Sequence, residues 1–370
     1  MVIDSIKLKN FRLHRNSELN FSRELNYIVG GNGQGKTTIL EAIYYLCTTK
    51  SFNRSHDSEG ITFDTDFFDV SGLFKDFTDN KVRCSYDRET NRKQFFLNDK
   101  QIHRSSSIIG KFPVVILSQA DHSITLGAPA DRRKFVDSVI SQASETYLSI
   151  LLEYNKTLRQ RSSLLTRLKE YKSKNLLDQL DSWSELLIRN GVEIVKHRLR
   201  FTNEFNNYLN SSYTRLLNGT EIPKINYDFL GTNGPDKIEE RFIEELSSLR
   251  ESELIRAANL VGPHRDDFYF YVNDYELKKY GSQGQHKTFQ IALRFAQFYF
   301  LKETTGKTPI FLMDDIYGDL DNYRAVKTGE YLKEVGQAFL TMTDFAKYEN
   351  LNKSGSDKLI YVNKGDVSYA

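Results

Sequence analysis

The stretch GGNGQGKTT, Gly30–Thr38, spaces its residues as G-x-x-x-x-G-K-[ST]. A nucleoside triphosphate concentrates about four negative charges, and a glycine-rich turn opening a helix lets successive backbone N–H groups point at them. Gly30, Gly33 and Gly35 allow that close approach, and Gly31, Asn32, Gln34 and Thr38 complete the phosphate-binding stretch. Lys36 adds a point charge for the β and γ phosphates, and Thr37 a hydroxyl ligand for Mg²⁺. The pattern by itself leaves open a kinase, a GTPase, a motor or a switch.

A second group, FLMDDIYGDLD at 311–321, ends a strongly apolar strand on two carboxylates. Asp314 is suited to hold Mg²⁺ directly or through water, and Asp315 to orient or deprotonate an attacking water. The same pair could merely cap the helix that follows. A third stretch, YGSQGQHKTFQIALRFAQFYF from Tyr280, runs from serine and glycines straight into a helix. Ser282, Gln283 and the N–H groups of Gly284 and Gln285 make a second anion-binding helix start. One triphosphate needs one cradle, so a second makes sense when it closes on a nucleotide held by another subunit. A serine-capped helix with no ligand is the plainer reading of the same residues.

These groups need elements to carry them. Apolar alternation over Val2–Leu8, Leu19–Phe21 and Leu25–Val29 predicts two short edge strands and a buried strand feeding the loop. Ile39, Leu40, Ile43, Tyr44 and Leu46 follow at helical spacing, so the loop stands between strand and helix, the context the motif requires. Residues 61–117 read as antiparallel strands closing on the buried strand FPVVILS. From Asp131 to about Leu217 glycine and proline nearly vanish, and Leu148, Leu151, Leu152, Tyr154, Leu158, Leu164, Leu165 and Leu168 keep a helical period. That segment is an inserted helical domain of two long helices folding back at KSKNLLDQ. Strands resume after LNGTEIPK, and the chain closes with a helix, the strand PIFLMDD, another helix and a strand pair. The division expected is a head segment 1–122, an arm 123–255 and a second head segment 256–370.

Lysine plus arginine number 51 and aspartate plus glutamate 49, so a net charge of +2 announces no polyanion partner, and any nucleic-acid surface is local. Cys47 and Cys84 fit neither a disulfide framework nor zinc spacing, which favours a reducing compartment. The N-terminus lacks the apolar core of a signal peptide, and no apolar run is long enough for a membrane span; the expected location is the cytoplasm.

Together these motifs resemble the ABC-type ATPases of the SMC family, and most closely its RecF branch of recombination mediators. The resemblance covers nearly the whole chain, through LKNFR (8–12), GGNGQGKTTILEAIYYL, GAPADRRKFVD (127–137), GPHRDDF (262–268), GSQGQHKT (281–288) and DDIYGDLD (314–321). It implies an α/β fold: an ABC-type ATPase head, with a mixed sheet around the phosphate loop plus an antiparallel β region, and an inserted α-helical arm. It further implies that Gly30–Thr37 form the Walker A loop, Asp314 and Asp315 the Walker B pair, and Ser282–Gln285 the signature motif acting in trans. Asp321 falls at the D-loop position, and Arg12 is similar to the basic residue that approaches the nucleotide near the α-phosphate or base. In LSQADHS, Gln119 and Asp121 compete for the Q-loop role at Mg²⁺. Thr341 and Thr343 stand where transporters use a switch histidine, which implies slow hydrolysis.

The same resemblance implies the work done. ATP joins two heads into a homodimer that clamps double-stranded DNA near junctions with single strands, and hydrolysis releases it. RecR, RecO and RecA follow as partners in loading RecA at gaps. Candidate phosphate contacts are Lys7, Lys9, Arg12 and Arg15, and Arg159, Arg161, Arg167, Lys169 and Lys172 of the arm. His264–Asp267 read instead as internal ion pairs. A transporter ATPase should lack LKNFR and the helical insert, and a nuclease-coupled ATPase would need a further metal-binding domain. The remaining alternative is a paralogue in a defence or chromosome-associated system that uses the same switch without RecA loading.

Overall fold

The computed structural model of the 370-residue chain describes every residue except 54, 172, 218, 220, 230–236, 344–354 and 370, and all side chains of the rest but 319 and 322. β1 (Val2–Phe11) and β2 (His14–Asn20) form a hairpin, and β3 (Leu25–Val29) leads to α1 (Lys36–Thr48). β4 (Phe67–Lys75), β5 (Asp79–Asp87), β6 (Arg92–Leu97), β7 (Lys100–Ile102) and β8 (Val114–Ser118) follow. Next come α2 (His122–Leu126), α3 (Pro129–Ala143), α4 (Glu145–Glu170) and α5 (Lys174–Leu217). Then run β9 (Pro223–Asp228), α6 (Ile238–Ser248), α7 (Arg250–Arg256), β10 (Asp267–Val272), β11 (Tyr275–Glu276) and α8 (Leu277–Tyr280). The chain closes with α9 (Gln283–Thr305), β12 (Ile310–Asp314), α10 (Asn322–Leu332), β13 (Ala338–Met342), β14 (Lys358–Asn363) and β15 (Asp366–Tyr369).

The chain divides into two compact units, one of Met1–Asp121, Arg215–Asn218 and Gln290–Ala370, the other of His122–Thr214 and Gly219–Phe289. The first holds two six-stranded sheets. One is antiparallel in the order β2-β1-β4-β5-β6-β7, and the other runs β15-β14-β3-β13-β12-β8. β14, β3, β13, β12 and β8 are mutually parallel, and β15 pairs antiparallel at the edge. LNYIV, VVILS and AFLTM are buried along their whole length, as strands covered on both faces must be. β4 instead alternates buried and half-exposed positions, the mark of a sheet with one solvated face. Ile39, Leu40, Ile43 and Leu46 of α1 pack into the apolar core that both sheets share. β1 lies between β2 and β4, so of the first two strands β2 alone is at an edge, where both were expected there. Cys47 and Cys84 are buried free thiols in this core.

The second unit is the helical insertion with a three-stranded sheet, β11-β10-β9. Ser144 caps α4 by accepting from Tyr147 N, which separates α3 from α4. α4 ends at Glu170 and α5 begins at Lys174, so most of the expected hinge is already helix. Leu164, Leu165 and Leu168 of α4 pack with Leu176 and Leu180 of α5.

This unit runs to Phe289 rather than ending at 255 as expected. The reason is pairing: β10 is matched to β9 from Asp267↔Asp228 to Val272↔Pro223, and Arg132 of α3 forks onto both oxygens of Asp267 at 2.8 and 2.7 Å. GPHRDDF and the signature stretch therefore belong to the arm unit. Of the internal ion pairs expected for His264–Asp267, Asp266 and Asp267 form them, whereas His264 and the exposed Arg265 make hydrogen bonds instead. Tyr154 bonds His264 Nδ1 at 2.8 Å, Arg265 donates to Asn259 O, and Arg198 bridges Asp137 and Asp266. α6 and α7 had no counterpart in the sequence reading. Among the described residues no helix is long and apolar enough to cross a membrane.

Candidate functional site

Four parallel strands of the first unit release the chain at one edge of their sheet, where ligands of such sheets bind. β3 ends into the glycine loop, β8 into Gln119, β12 into Asp315 and β13 into Thr343. Register keeps these ends level: Asp314 is paired with Ser118 on one side and with Thr341 on the other. Gly33 and Gly35 have φ of 72° and 105°, where a side chain would be strained. Gly30 is required for space, since a Cβ there would lie 2.3 Å from Val362 O. Lys36 Nζ donates to Gly30 O and Gly31 O at 2.8 Å each, so its charge stays inside the loop. Burial pushes the Lys36 pKa down, against Asp315 and Asp314, which raise it. Gly30→Ala must move backbone against backbone, and we expect ATP affinity to fall about tenfold or more by nucleotide titration, the cost of an overpacked contact.

Opposite the loop, Asp314 Oδ1 accepts from Thr37 Oγ1 and from Thr341 Oγ1, both at 2.8 Å. Burial raises the Asp314 pKa, and the two threonine bonds oppose it. A hydroxyl and a carboxylate oxygen in contact are hard donors of the kind Mg²⁺ takes, and Mg²⁺ completes its shell with water and phosphate oxygens. Asp315 has φ of 52°, left-handed backbone that is uncommon away from glycine and concentrates at functional sites. Its N–H donates to Thr341 Oγ1 at 2.9 Å, so Thr341 links both aspartates.

Gln119 and Asp121 differ in their surroundings. Asp121 is 4% exposed and accepts a fork from Arg294 at 2.8 and 2.6 Å. Its carboxylate is committed to the core, which leaves Gln119, exposed directly after β8. Arg12 also departs from expectation. Its guanidinium forks onto Glu41 of α1 at 2.5 and 2.7 Å and bonds Ser55, so in this structure its charge serves Glu41.

The signature stretch lies in the second unit. Ser282 Oγ accepts from Gln285 N at 3.2 Å while Gln285 Oε1 accepts from Ser282 N at 2.8 Å, a reciprocal capping box at the start of α9. Gln285 Nε2 also donates to Glu221 at 2.8 Å. Ser282 and Gln283 are exposed, and Gly284 and Gln285 half-buried. Asp321 caps α10, accepting from Arg324 N and pairing with the Arg324 side chain.

Of the basic candidates, Arg161 is 1% exposed and bonded to Glu253, Asn259 and Ser184, so it is no DNA contact. Lys7 pairs with Glu18, and Lys9 lies over the Phe67 ring. Arg15, Arg159, Arg167 and Lys169 are exposed, and Lys172 lies outside the described residues. Sequence reasoning missed Glu41 and Arg294 as partners, and missed His14, which reaches the glycine loop from the β1–β2 turn. None of these ties has a local sequence signal.

Comparison with known proteins gives this geometry its lineage. A family model described as an AAA domain matches residues 5–211. The DNA replication and repair protein RecF of Prosthecochloris aestuarii is 36% identical over 369 residues, covering 98% of both chains. That of Salinibacter ruber is 35% identical, covering 94% of this chain and 86% of its own. The chain belongs to the RecF family. A solved structure of the recombination mediator protein RecF with ATP, from the RecFOR pathway, superposes over the whole chain with a TM-score of 0.90 at 32% identity, covering 97% of that protein. The head domain of Smc from Pyrococcus furiosus shares the fold, with a TM-score of 0.58 at 16% identity. The RecF family thus supplies the mixed α/β head and long helices seen here.

Proposed function

We propose that this RecF-family chain is an ATP-gated DNA clamp of replication and repair, and a slow, DNA-stimulated ATPase. The observation that carries the reading is the convergence of Lys36, Thr37, Asp314 and Asp315 on the end of one parallel sheet. Gly30–Gly35 and Lys36–Thr38 hold the triphosphate, and Thr37, Asp314 and Gln119 hold Mg²⁺. The bound ion supplies charge neutralisation at the phosphates. Asp315 takes the proton of the attacking water or orients it, and Thr341 fixes its backbone.

Two copies oppose head to tail, so that Ser282–Gln285 and Asp321 of one meet the nucleotide of the other. Contacts that exist only in the dimer let ATP shift the monomer–dimer equilibrium by differential affinity. The dimer holds double-stranded DNA near single-strand junctions, with Arg15, Arg159, Arg167 and Lys169 as candidate phosphate contacts. RecR, with RecO, then promotes RecA loading at gaps. The location proposed is the cytoplasm.

Gln119→Ala and Asp121→Ala separate the Q-loop from the core. The first lowers single-turnover hydrolysis about tenfold with unchanged melting. The second destabilises the head by about 3–5 kcal/mol, because the buried Arg294 guanidinium loses the carboxylate it forks onto. Equal hydrolysis in Gln119→Ala and wild type would remove Gln119 from the site. ATP-dependent retention on gapped duplex, tested with and without RecR, checks the whole reading; retention without any RecR dependence points to a paralogue that does not load RecA.

A further inference from the structure

We propose that His14 is a positioning residue for nucleotide binding: with Ser17 and Gly365 it fixes the two peptide planes that aim the Gly35 and Lys36 N–H groups into the phosphate loop. The inference rests on the nucleotide reading of that loop. His14 has 0% exposure and follows the two-residue turn that closes the β1–β2 hairpin, where Phe11 pairs with it. Its Nε2 lies 3.1 Å from Gly35 O and its Nδ1 2.9 Å from Ser17 Oγ. Ser17 Oγ also lies 3.0 Å from Gly365 O, and Gly365 N donates to Gln34 O at 3.0 Å. Lys364 N adds a bond to Gln34 Oε1 at 2.7 Å. Two separate bonds thus hold adjacent loop carbonyls, one from His14 to Gly35 O and one from Gly365 N to Gln34 O.

In a trans peptide the C=O and N–H point in opposite directions. Holding Gln34 O outward on Gly365 turns the Gly35 N–H inward. Holding Gly35 O outward on His14 does the same for the Lys36 N–H. A carbonyl only accepts, so the ring proton at this contact is on Nε2, which donates, and Nδ1 accepts the one Ser17 hydroxyl proton. The packing leaves no slack: a Cβ on Gly35 would lie 3.0 Å from His14 Nε2, and one on Gly365 2.3 Å from Leu13 O. α1 has no side-chain cap of its own at Gly35, so the imidazole is the side chain that orients this helix start.

The two amides meet phosphate oxygens in the ground and transition states alike, so their loss weakens binding without slowing chemistry. His14→Phe keeps ring volume and removes the donor, whereas His14→Gln restores an N–H. Titration of the full-length variants with fluorescent ATP should give a Kd raised about tenfold for His14→Phe and within about threefold of wild type for His14→Gln, the worth of a buried hydrogen bond. Single-turnover hydrolysis of bound ATP should stay within twofold in both. If His14→Phe does not fold, Ser17→Ala carries the same test by removing the hydroxyl that holds the ring tautomer, with Kd raised about threefold. An unchanged Kd in the folded variant, or an equal loss in His14→Phe and His14→Gln that tracks their melting, overturns the positioning role. Failure of wild type itself to bind ATP would overturn the loop reading and this inference together.

Discussion

Asp315→Asn leaves ATP bound and lowers single-turnover hydrolysis by about 10²–10⁴-fold, the range of a lost general base. The substitution is well isolated. Asparagine tolerates left-handed backbone nearly as well as aspartate, so the φ of 52° carries no added strain. The bond from residue 315 to Thr341 is made by the backbone N–H and survives. Asp314 keeps both its threonine donors, so Thr37 and Asp314, proposed to hold Mg²⁺, stay in register. What disappears is one carboxylate able to accept a proton beside Lys36. Hydrolysis within threefold of wild type would show that Asp315 does no work on the water.

Arg161→Ala should destabilise the second unit by about 3–5 kcal/mol, the cost of leaving a buried charge without its partner. Arg161 and Glu253 are each 2% exposed in their side chains, and their oxygen and nitrogen approach to 2.8 Å. The guanidinium also serves Ser184 and Asn259, and Glu253 accepts from Leu260 N, so the pair ties α4 and α5 to the segment after α7. Arg159→Ala, two residues away and exposed, should change stability by less than about 0.5 kcal/mol. Urea denaturation followed by helix circular dichroism reads both. If Arg161→Ala lost no more than Arg159→Ala, the buried network would not be what holds this unit.

The contrast between those two arginines shows where sequence reading reaches. Arg161 was grouped with surface cations by residue type, yet it stands three, four and seven positions before Leu164, Leu165 and Leu168. The helical period already put it on the buried face. α6 was missed although Ile238, Phe242 and Leu246 recur every four residues and are all buried. The glycine loop, the strand and helix flanking it, and the Asp314–Asp315 strand end were legible because each is local, written in adjacent residues. Ser282 and Gln285 were legible in the plainer sense too, since Ser-x-x-Gln spells a capping box.

Pairings between different elements, 21 to 173 positions apart in the chain, were not legible. Asp121 meets Arg294, Arg12 meets Glu41 and His14 meets Gly35 through the topology of the sheets, which no local period encodes. The same holds for the end of the arm unit. It is set by β10 pairing with β9 and by Arg132 reaching Asp267, while the sequence between them offers only a composition change.

The central claim is that ATP in the loop joins two chains around DNA. The mass in solution should therefore be measured with and without ATP and a gapped duplex, for wild type, Lys36→Ala and Asp315→Asn. The account predicts a DNA-bound dimer in wild type only with ATP, none with Lys36→Ala, and a persistent dimer with Asp315→Asn. All three remaining monomeric and free of DNA under every condition would contradict it, and would leave the loop to a single-site chemistry.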